Sequence, residues 1–190
     1  MRILLRPQAE FDLAQRLRQG AATLGEAFEF TSGLYFRGKL LYARTFARAP
    51  QGVPGVLVIA PGAGLVPAEA PVDVAQIRRL GEVPVDAGDL RFRKPLEEAA
   101  RLLHGVLPPS SEIVLLGSIA SAKYVDPLLG VFGDQLLFPP SFVGRGDMSR
   151  GGLLLRSARA GEELAYSKVQ GAVRHGPRPP RLPRLPRWPR

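Results

Sequence analysis

The sequence predicts an α/β domain in three layers, a mainly parallel sheet with helices on both faces. Strand and helix patterns alternate along the chain, and the two clearest strand patterns, at 56–60 and 112–118, are continuous apolar runs. Continuous runs are typical of parallel strands that are buried on both faces. A chain of 190 residues suits one such domain, which we place at 1–173, followed by a tail at 174–190.

Apolar runs bounded by glycine or proline predict the strands. The proline in 82–86 restricts that segment to the edge of a sheet, because proline cannot donate a hydrogen bond to a neighbouring strand. The predicted strands, in chain order, are 2–6, 56–60, 82–86, 112–118, 135–139 and 153–156.

Helical spacing of apolar residues, with capping residues and prolines near the ends, predicts the helices. Thr31 or Ser32 is expected to cap the longest one. Pro95 is expected in the first turn of its helix, and Pro127 is expected to break or restart the last one. The segment 25–33 is ambiguous. The predicted helices are 9–20, 34–49, 73–80, 94–105 and 122–133.

The composition excludes several kinds of site. The chain has no cysteine, which rules out disulfides, thiolate metal sites and cysteine nucleophiles. Its two histidines, His104 and His175, leave almost no material for a Ser-His-Asp triad or a histidine-rich metal site. We therefore expect no metal and no cofactor, and an enzyme would have to use carboxylate, lysine, tyrosine or arginine side chains.

Neither a targeting sequence nor a membrane span is expected. The N-terminal apolar run has three residues, too few for the core of a secretory signal. No apolar run approaches the about 18 residues that cross a bilayer. We therefore expect a cytoplasmic location.

The net charge of +9 is concentrated at the C-terminus. Six arginines and no acidic residue lie in 174–190, whereas the body up to Val173 has 20 basic and 17 acidic residues. The basic character therefore describes the tail more than the domain, and it is weak support for nucleic-acid binding by the body.

Two turns follow the clearest strand patterns, where open parallel sheets place their ligands. The first, PGAGLVP at 61–67, has Gly62 and Gly64 but a proline where a dinucleotide-binding fingerprint needs a third glycine. We interpret it as a structural turn.

The second turn, GSIASAKY at 117–124, has the first glycine and the lysine of a phosphate-binding loop in register. Ala122 replaces the second glycine and Tyr124 replaces the hydroxyl residue that binds magnesium, which excludes a nucleoside triphosphatase of that type. Backbone N–H groups at the start of the next helix still suit an anion; the alternative is an ordinary strand–helix turn. The candidate ligand-binding residues here are Gly117, Ser118 and Lys123.

The long helix at 34–49 has two interpretations. Tyr35 and Lys39 share one face with further aromatic residues, and arginines occupy another face. In the first interpretation the aromatic residues pack in the core and the cations face solvent. In the second, Tyr35, Arg37 and Lys39 contact a ligand, and Gly38 permits its close approach.

The glycine-rich segment 142–152 is predicted to be a loop before the last strand. Its glycines permit turns that direct backbone donors inward, and Arg145 and Arg150 suit a phosphate or carboxylate. Asp147 is a candidate base or a partner for an arginine, and Asp126 is the second candidate catalytic carboxylate. The alternative is a flexible surface turn. If the α/β prediction holds, this loop lies near the second turn and the long helix.

The last residues, 177–190, repeat proline and arginine at every third position. Polyproline II has three residues per turn, so the repeat predicts separate ridges of proline, arginine and apolar residues over roughly 40 Å. The composition resembles proline-rich antimicrobial peptides, which bind the ribosome; the alternative is a disordered basic extension. Arginines neutralise phosphates and tryptophan stacks on bases. The candidate nucleic-acid-binding residues are Arg178, Arg181, Arg184, Arg187, Trp188 and Arg190.

Three motifs in the order SGLYFRGKLLYA, VLVIAPGAGL and VLLGSIASAKYVDPLLGVFGDQLLFP, followed by the glycine-rich segment, carry a family resemblance. Over about 31–156 the chain resembles the DUF6884 type of bacterial and phage-associated proteins. Those proteins likewise run from a helix with tyrosine and arginine, through a strand and turn, to a glycine-rich motif. The serine–cysteine pair of their first strand has no counterpart in 2–6. The resemblance implies an α/β fold and no particular activity.

Three hypotheses about function follow from the sequence. The first is an α/β domain that binds or processes a nucleotide, nucleobase or other phosphorylated small molecule. The second is a nucleic-acid-binding accessory protein whose tail contacts RNA or DNA. The third is a structural or adaptor protein without a ligand.

Overall fold

A computed structural model describes residues 3–182. Over this range the chain forms six α-helices, two short 3-10 helices and seven strands of two to four residues. The helices are α1 (Asp12–Arg18), α2 (Leu24–Phe46), α3 (Val74–Glu82), α4 (Leu90–Val106), α5 (Ala122–Phe132) and α6 (Asp147–Ala160). The strands are β1 (Ala22–Thr23), β2 (Leu57–Ala60), β3 (Gly64–Pro67), β4 (Pro71–Val72), β5 (Ile113–Val114), β6 (Leu136–Phe138) and β7 (Ser167–Lys168).

The predicted three-layer parallel sheet is wrong. The strands of the described chain form three small sheets: an antiparallel β1–β4 pair, an antiparallel β2–β3 hairpin, and a β5–β6–β7 sheet. In the last of these, β5 and β6 are parallel and β6 and β7 are antiparallel. A continuous apolar run indicates burial but does not specify the partner strand or its direction, and here most of the burial is against helices.

The hairpin shows how the first strong apolar run was misread as part of a parallel sheet. After β2, Gly62 and Gly64 both adopt left-handed backbone angles, with φ of 77° and 78°. These angles reverse the chain at once, so β2 pairs with the residues that immediately follow it. A Cβ atom on Gly64 would also collide with the Pro95 carbonyl of α4. The turn at 61–67 is therefore structural, as predicted.

Most predicted helices are confirmed, and several predicted strands are wrong. Residues 3–5 form turns and 83–86 have no strand, because short apolar or proline-bearing segments lack a neighbouring strand here. Residues 153–156 lie inside α6. Pro127 does not break α5, which continues through it to Phe132.

The longest helix consists of two segments joined by a kink at Gly33, and its second segment begins at Leu34, as predicted. Thr23 caps α2 through a capping box: its hydroxyl accepts from the Glu26 N–H, and the Glu26 carboxylate accepts from the Thr23 N–H at 2.8 Å. Thr31 is not a cap, because its hydroxyl donates to the Ala27 carbonyl at 3.0 Å. Gly33, with φ of 67°, interrupts the helical backbone where the cap was expected.

Two clusters of buried apolar residues pack on different parts of α2. The N-terminal cluster joins α1, α2, the β2–β3 hairpin and α3, and includes Leu17, Leu24, Leu40, Val58 and Ile77. The C-terminal cluster joins the end of α2 to α4, α5, β6 and α6, and includes Tyr42, Leu96, Val125, Phe138 and Leu154. The long helix thus contributes to both cores.

Two glycines allow α2 and α6 to cross at close range. A Cβ atom on Gly38 would lie 2.7 Å from the Gly151 carbonyl oxygen, and one on Gly151 would lie 2.8 Å from the Tyr35 Cα. Side-chain carbon atoms do not occupy such distances, so both positions require glycine. The crossing brings the first turn of α6 against the polar face of α2.

Within residues 3–182, no helix combines the length and the apolar character needed to cross a membrane.

Candidate functional site

A large cavity opens where the middle of α2 meets the starts of α5 and α6. Its volume is about 1230 Å³, above the about 300–1000 Å³ that is usual for a small-molecule site. It extends along α2 from Phe28 past Lys39 and Tyr42 to Phe46, with β5 and the following turn on the other side. Tyr42 is two helical turns beyond Tyr35, about 10 Å along the axis.

The starts of α5 and α6 both contribute to this cavity. Ser121 and Lys123, at the start of α5, lie in the cavity wall, as do Asp147 and Met148 at the start of α6. Neither helix has a side chain that caps its first turn. The first N–H groups of a helix lack partners within the helix and carry a partial positive charge, so these two ends favour a negatively charged group.

Arg150, in the first turn of α6, is the most unusual side chain of the site. It is 7% exposed, and its Nε and Nη1 atoms have no hydrogen-bond partner. Nη1 lies 3.7 Å from the Asp147 carboxylate, longer than a hydrogen bond, and the guanidinium carbon lies 5.8 Å from the centre of the Phe142 ring. Buried cations are normally neutralised by several hydrogen bonds to acceptors. Arg150 interacts with Asp147 and with the Tyr35 hydroxyl, but two of its three nitrogen atoms have no hydrogen bond.

Tyr35 lies next to Arg150 and forms part of the cavity wall. Its hydroxyl donates to the Leu116 carbonyl at 2.9 Å. Burial raises the pKa of the Tyr35 hydroxyl to about 12, although the neighbouring Arg150 guanidinium acts in the opposite direction. Tyr35 therefore remains a neutral hydrogen-bond donor at physiological pH and ties α2 to the segment that follows β5.

Lys39 is one helical turn from Tyr35 and also faces the cavity. Its Nζ atom lies 4.4 Å from the centre of the Tyr35 ring and 5.1 Å from that of Phe36. Burial lowers the pKa of Lys39; nearby Asp147 opposes this effect and Arg150 adds to it. The amine is thus held in a mostly aromatic environment beside a second cation.

Asp147 is the carboxylate that interacts with both Lys39 and Arg150. Its side chain is 70% exposed, and it faces the cavity with Tyr124 of α5 nearby. Burial raises the pKa of Tyr124, and the charge of Asp147 raises it further. One exposed carboxylate therefore interacts with two cations, Arg150 and Lys39.

The turn that resembled a phosphate-binding loop also reaches the cavity. Gly117, Ser118 and Lys123 lie in its wall, and the Lys123 Nζ atom lies 5.2 Å from the centre of the Tyr124 ring. A Cβ atom on Gly117 would meet the Leu115 side chain at 3.2 Å, so this glycine has a local packing role as well. Whether any of these residues binds a ligand stays a prediction.

Three other predicted site residues lie apart from this group. Arg37 is paired with Glu29 at 2.9 Å, and Asp126 is exposed on α5. Arg145 donates to the Ser141 carbonyl at 2.9 Å and to the Ser149 hydroxyl at 3.2 Å. The predicted site thus divides into three groups. The cavity wall includes Tyr35, Lys39, Gly117, Ser118, Lys123 and Asp147, and Arg150 lies behind this wall, next to Tyr35 and Asp147. Arg37, Asp126 and Arg145 lie apart from both.

The glycine-rich loop before a last strand is a wrong prediction, because the chain enters α6 at Asp147. The signal for this helix was present in an acidic residue in the first turn, Arg159 in the last turn and Gly161 beyond it. Gly161 has the left-handed angles of a helix end, φ 70° and ψ 17°. Two adjacent glycines at 151–152 obscured these signals, since glycine weakens a helix.

A tyrosine pair farther along the cavity was not identified from the sequence. The Tyr42 and Tyr166 hydroxyl oxygens are 2.6 Å apart. Tyr166 donates to Glu163 at 2.9 Å, and the Leu164 N–H donates to Tyr42 at 2.9 Å. Tyr42 must therefore donate to Tyr166, and the three bonds form one directional chain. Partners 124 residues apart in sequence leave no local signal.

The C-terminal tail is described as far as Leu182. Arg178 and Arg181 are exposed, and the chain from 172 to 182 forms neither helix nor strand. The Pro180 carbonyl accepts from Arg145 at 3.3 Å. The remaining predicted nucleic-acid-binding residues, Arg184, Arg187, Trp188 and Arg190, lie outside the described residues.

Metal binding and similarity to other proteins give no further assignment. The described part of the chain contains no group of three His, Asp or Glu side chains arranged to hold a metal ion. No protein-family model, curated protein or solved structure shows significant similarity to the chain. The resemblance to DUF6884-type proteins is therefore neither supported nor refuted, and it stays a prediction.

Proposed function

We propose that the protein binds a phosphorylated small molecule, with nucleotides as the leading class, in the cavity between α2, α5 and α6. The observation that carries this proposal is Arg150, a buried guanidinium with two donor atoms that have no partner. A cation in a low-dielectric interior interacts strongly with an opposite charge. An anionic ligand would supply the acceptors that the chain itself does not supply.

The surroundings of Arg150 favour a phosphate group. Lys39 adds a second cation, and the uncapped starts of α5 and α6 add partial positive charge. Arginine donates charge-assisted hydrogen bonds to phosphate oxygens. The unpaired Nε and Nη1 atoms of Arg150 point to different sides of the guanidinium, so each can donate to a separate acceptor oxygen.

The remaining wall suits the rest of a nucleotide. Phe28, Phe36 and Tyr124 offer aromatic surface for a base. The exposed Asp147 carboxylate can accept hydrogen bonds from the hydroxyl groups of a sugar. A volume of about 1230 Å³ accommodates a molecule of that size.

Calorimetric titration with pyrophosphate, AMP and adenosine tests the proposal. AMP and pyrophosphate should bind, adenosine should bind more weakly, and the affinity for AMP should fall as salt rises. Arg150→Met should weaken AMP binding at least about tenfold, the loss of one charge-assisted hydrogen bond.

Arg37→Met is the matched control, because Arg37 lies on the same helix as Lys39 but is paired with Glu29. It should leave AMP binding unchanged. Equal losses in both variants, or no phosphate-dependent binding by the unmodified protein, would overturn the proposal.

The uneven charge of the chain favours a second candidate function, nucleic-acid binding through the tail. Six of the nine net positive charges lie in 174–190. Deleting 177–190 should then abolish salt-sensitive binding to RNA or DNA, and unchanged binding would contradict this function. A cytoplasmic location remains part of both proposals; the absence of cysteine from the chain is consistent with a reducing compartment.

A further inference from the structure

Lys39 lies in the cavity wall between aromatic rings and without a carboxylate partner among the described residues. Its ammonium nitrogen approaches two aromatic rings, Tyr35 and Phe36, at 4.4 and 5.1 Å from their centres. It forms no hydrogen bond or ion pair with a carboxylate in the described chain. The side chain lines the open cavity, so a small molecule in that cavity can reach the nitrogen.

The charged groups around Lys39 come from two elements besides its own helix. From α6 they are Arg150, a cation, and Asp147, an exposed carboxylate. From α5, Lys123 and the neutral Tyr124 hydroxyl lie in the same wall. Lys39 thus has a buried cation, Arg150, beside it. One carboxylate, Asp147, is placed to transfer protons to and from a molecule in the cavity.

We propose that Lys39 is a covalent binding site that forms an imine with the aldehyde or ketone group of an anionic substrate held by Arg150. The second half of this statement depends on the proposed function; the reactivity of Lys39 does not. A desolvated lysine beside another cation is a recognised arrangement for an amine nucleophile.

The reaction balances without any additional reagent. The unprotonated Nζ atom attacks the carbonyl carbon, a C–N bond forms as the C=O π bond breaks, and Asp147 carries one N–H proton to the oxygen. Asp147 then accepts the second N–H proton and gives it to the departing hydroxyl group as the C–O bond breaks. Water leaves and the C=N bond remains, so one carbonyl group and one amine give one imine and one water.

The aldehyde should react with Lys39 in preference to other lysines because a larger fraction of the Lys39 amine is unprotonated. Lowering the pKa of a lysine by one unit raises that fraction about tenfold at neutral pH, and burial beside Arg150 lowers the pKa of Lys39. The chain has three other lysines for comparison, Lys94, Lys123 and Lys168. Lys94 is exposed on α4 and away from the cavity, so it is an internal reference.

The test uses the full-length protein with two aldehydes, pyridoxal 5′-phosphate and pyridoxal. Each imine is trapped with borohydride, and the modified lysines are quantified by peptide mass spectrometry between pH 6 and 10. Pyridoxal 5′-phosphate should label Lys39 at least about tenfold faster than Lys94 at pH 7. The labelling rate of Lys39 should also reach its plateau at a lower pH than that of Lys94.

A variant separates the two parts of the proposal. In Arg150→Met, Lys39 loses both the phosphate partner and the neighbouring cation, so its labelling by pyridoxal 5′-phosphate should slow more than its labelling by pyridoxal. A circular dichroism melting curve establishes that the variant is folded. Retained preference for the phosphorylated aldehyde would show that Arg150 does not hold the anion and would overturn that part.

The outcomes distinguish this inference from the proposed function. If both aldehydes label Lys39 equally and faster than Lys94, the imine site stands and anion binding at Arg150 fails. If AMP binds in calorimetry but Lys39 is labelled no faster than Lys94, the imine site is overturned and anion binding stands. If neither effect occurs, both are overturned.

Discussion

Arg16 and Arg150 lie in two regions of the molecule that differ in how many hydrogen-bond acceptors they supply to a guanidinium group. Arg16, on α1, donates to Asp12 at 2.8 Å and to both oxygens of Glu26 at 3.0 and 2.8 Å. Arg150, at the junction of α2 and α6, is more deeply buried and leaves two donor atoms unpaired. The first arrangement satisfies a cation and ties α1 to α2. The second costs folding free energy, which is a common property of binding sites.

The same contrast appears along α2. Its outward cations, Arg37 and Arg44, are each paired with a glutamate, at 2.9 and 2.7 Å. Lys39, which faces the cavity, is surrounded by aromatic rings instead. Among the described residues, Lys39 and Arg150 therefore differ from these two arginines, because neither forms a hydrogen bond with a carboxylate.

The largest expected effect concerns the helix crossing that buries Arg150. Gly38→Ala places a methyl group 2.7 Å from the Gly151 carbonyl oxygen, so α2 and α6 must separate. We expect a loss of about 3 kcal/mol in the free energy of unfolding, measured by urea denaturation.

Gly130→Ala, in α5, is the matched control, because a Cβ atom there has open space. It should stabilise the protein by about 0.5–1 kcal/mol, since alanine favours a helix over glycine. Equal effects of the two substitutions would show that the crossing does not constrain the site.

The second prediction compares the two arginines directly. Arg150→Met should raise the free energy of unfolding by about 1–2 kcal/mol, because it removes an unsatisfied buried charge and keeps a similar volume. Arg16→Met should lower the melting temperature, because it leaves Glu26 without its partner. Thermal unfolding of both variants measures the signs. A loss of stability in both would make Arg150 an ordinary structural residue.

The smallest expected effect is the pH dependence of the stability that the Arg16–Glu26 ion pair contributes. Hydrogen bonds from Arg16 lower the pKa of Glu26 to about 2, from 4.5. A lowered carboxylate pKa stabilises the folded state above pH 4.5, and this contribution disappears as the pH falls from 4.5 to 2.

Glu26→Gln isolates this charge, since glutamine preserves the capping box with Thr23. It should lower stability at pH 7 by about 1 kcal/mol or less, given the partial exposure of the pair. The difference from the unmodified protein should vanish near pH 2 in melting curves. A difference that is constant with pH would assign the effect to packing.

Local signals in the sequence were sufficient for most helices. Asp73 caps α3 as a capping box with Gln76, and α1 has apolar residues at helical spacing before Gly20. These features depend on residues within four positions of one another. The pairing of the strands could not be predicted in this way. The partner of β2 depends on the immediate chain reversal at Gly62 and Gly64, and the partner of β5 lies beyond α5.

The candidate site was partly predictable for the same reason. Tyr35 and Lys39 share a face of one helix, and Lys123 and Asp147 lie near helix starts. The burial of Arg150 was not predictable, because it results from the approach of two glycines 113 positions apart, Gly38 and Gly151. Arginine in a glycine-rich segment otherwise indicates an exposed loop.

The measurement that tests the central claim most directly is urea unfolding of the full-length protein and of Arg150→Met, each with and without pyrophosphate. If Arg150 is retained to bind an anion, pyrophosphate should stabilise the unmodified protein by mass action and should stabilise the variant much less. The variant should also be the more stable of the two when pyrophosphate is absent. A variant that is less stable, together with no effect of pyrophosphate on either protein, would contradict the account.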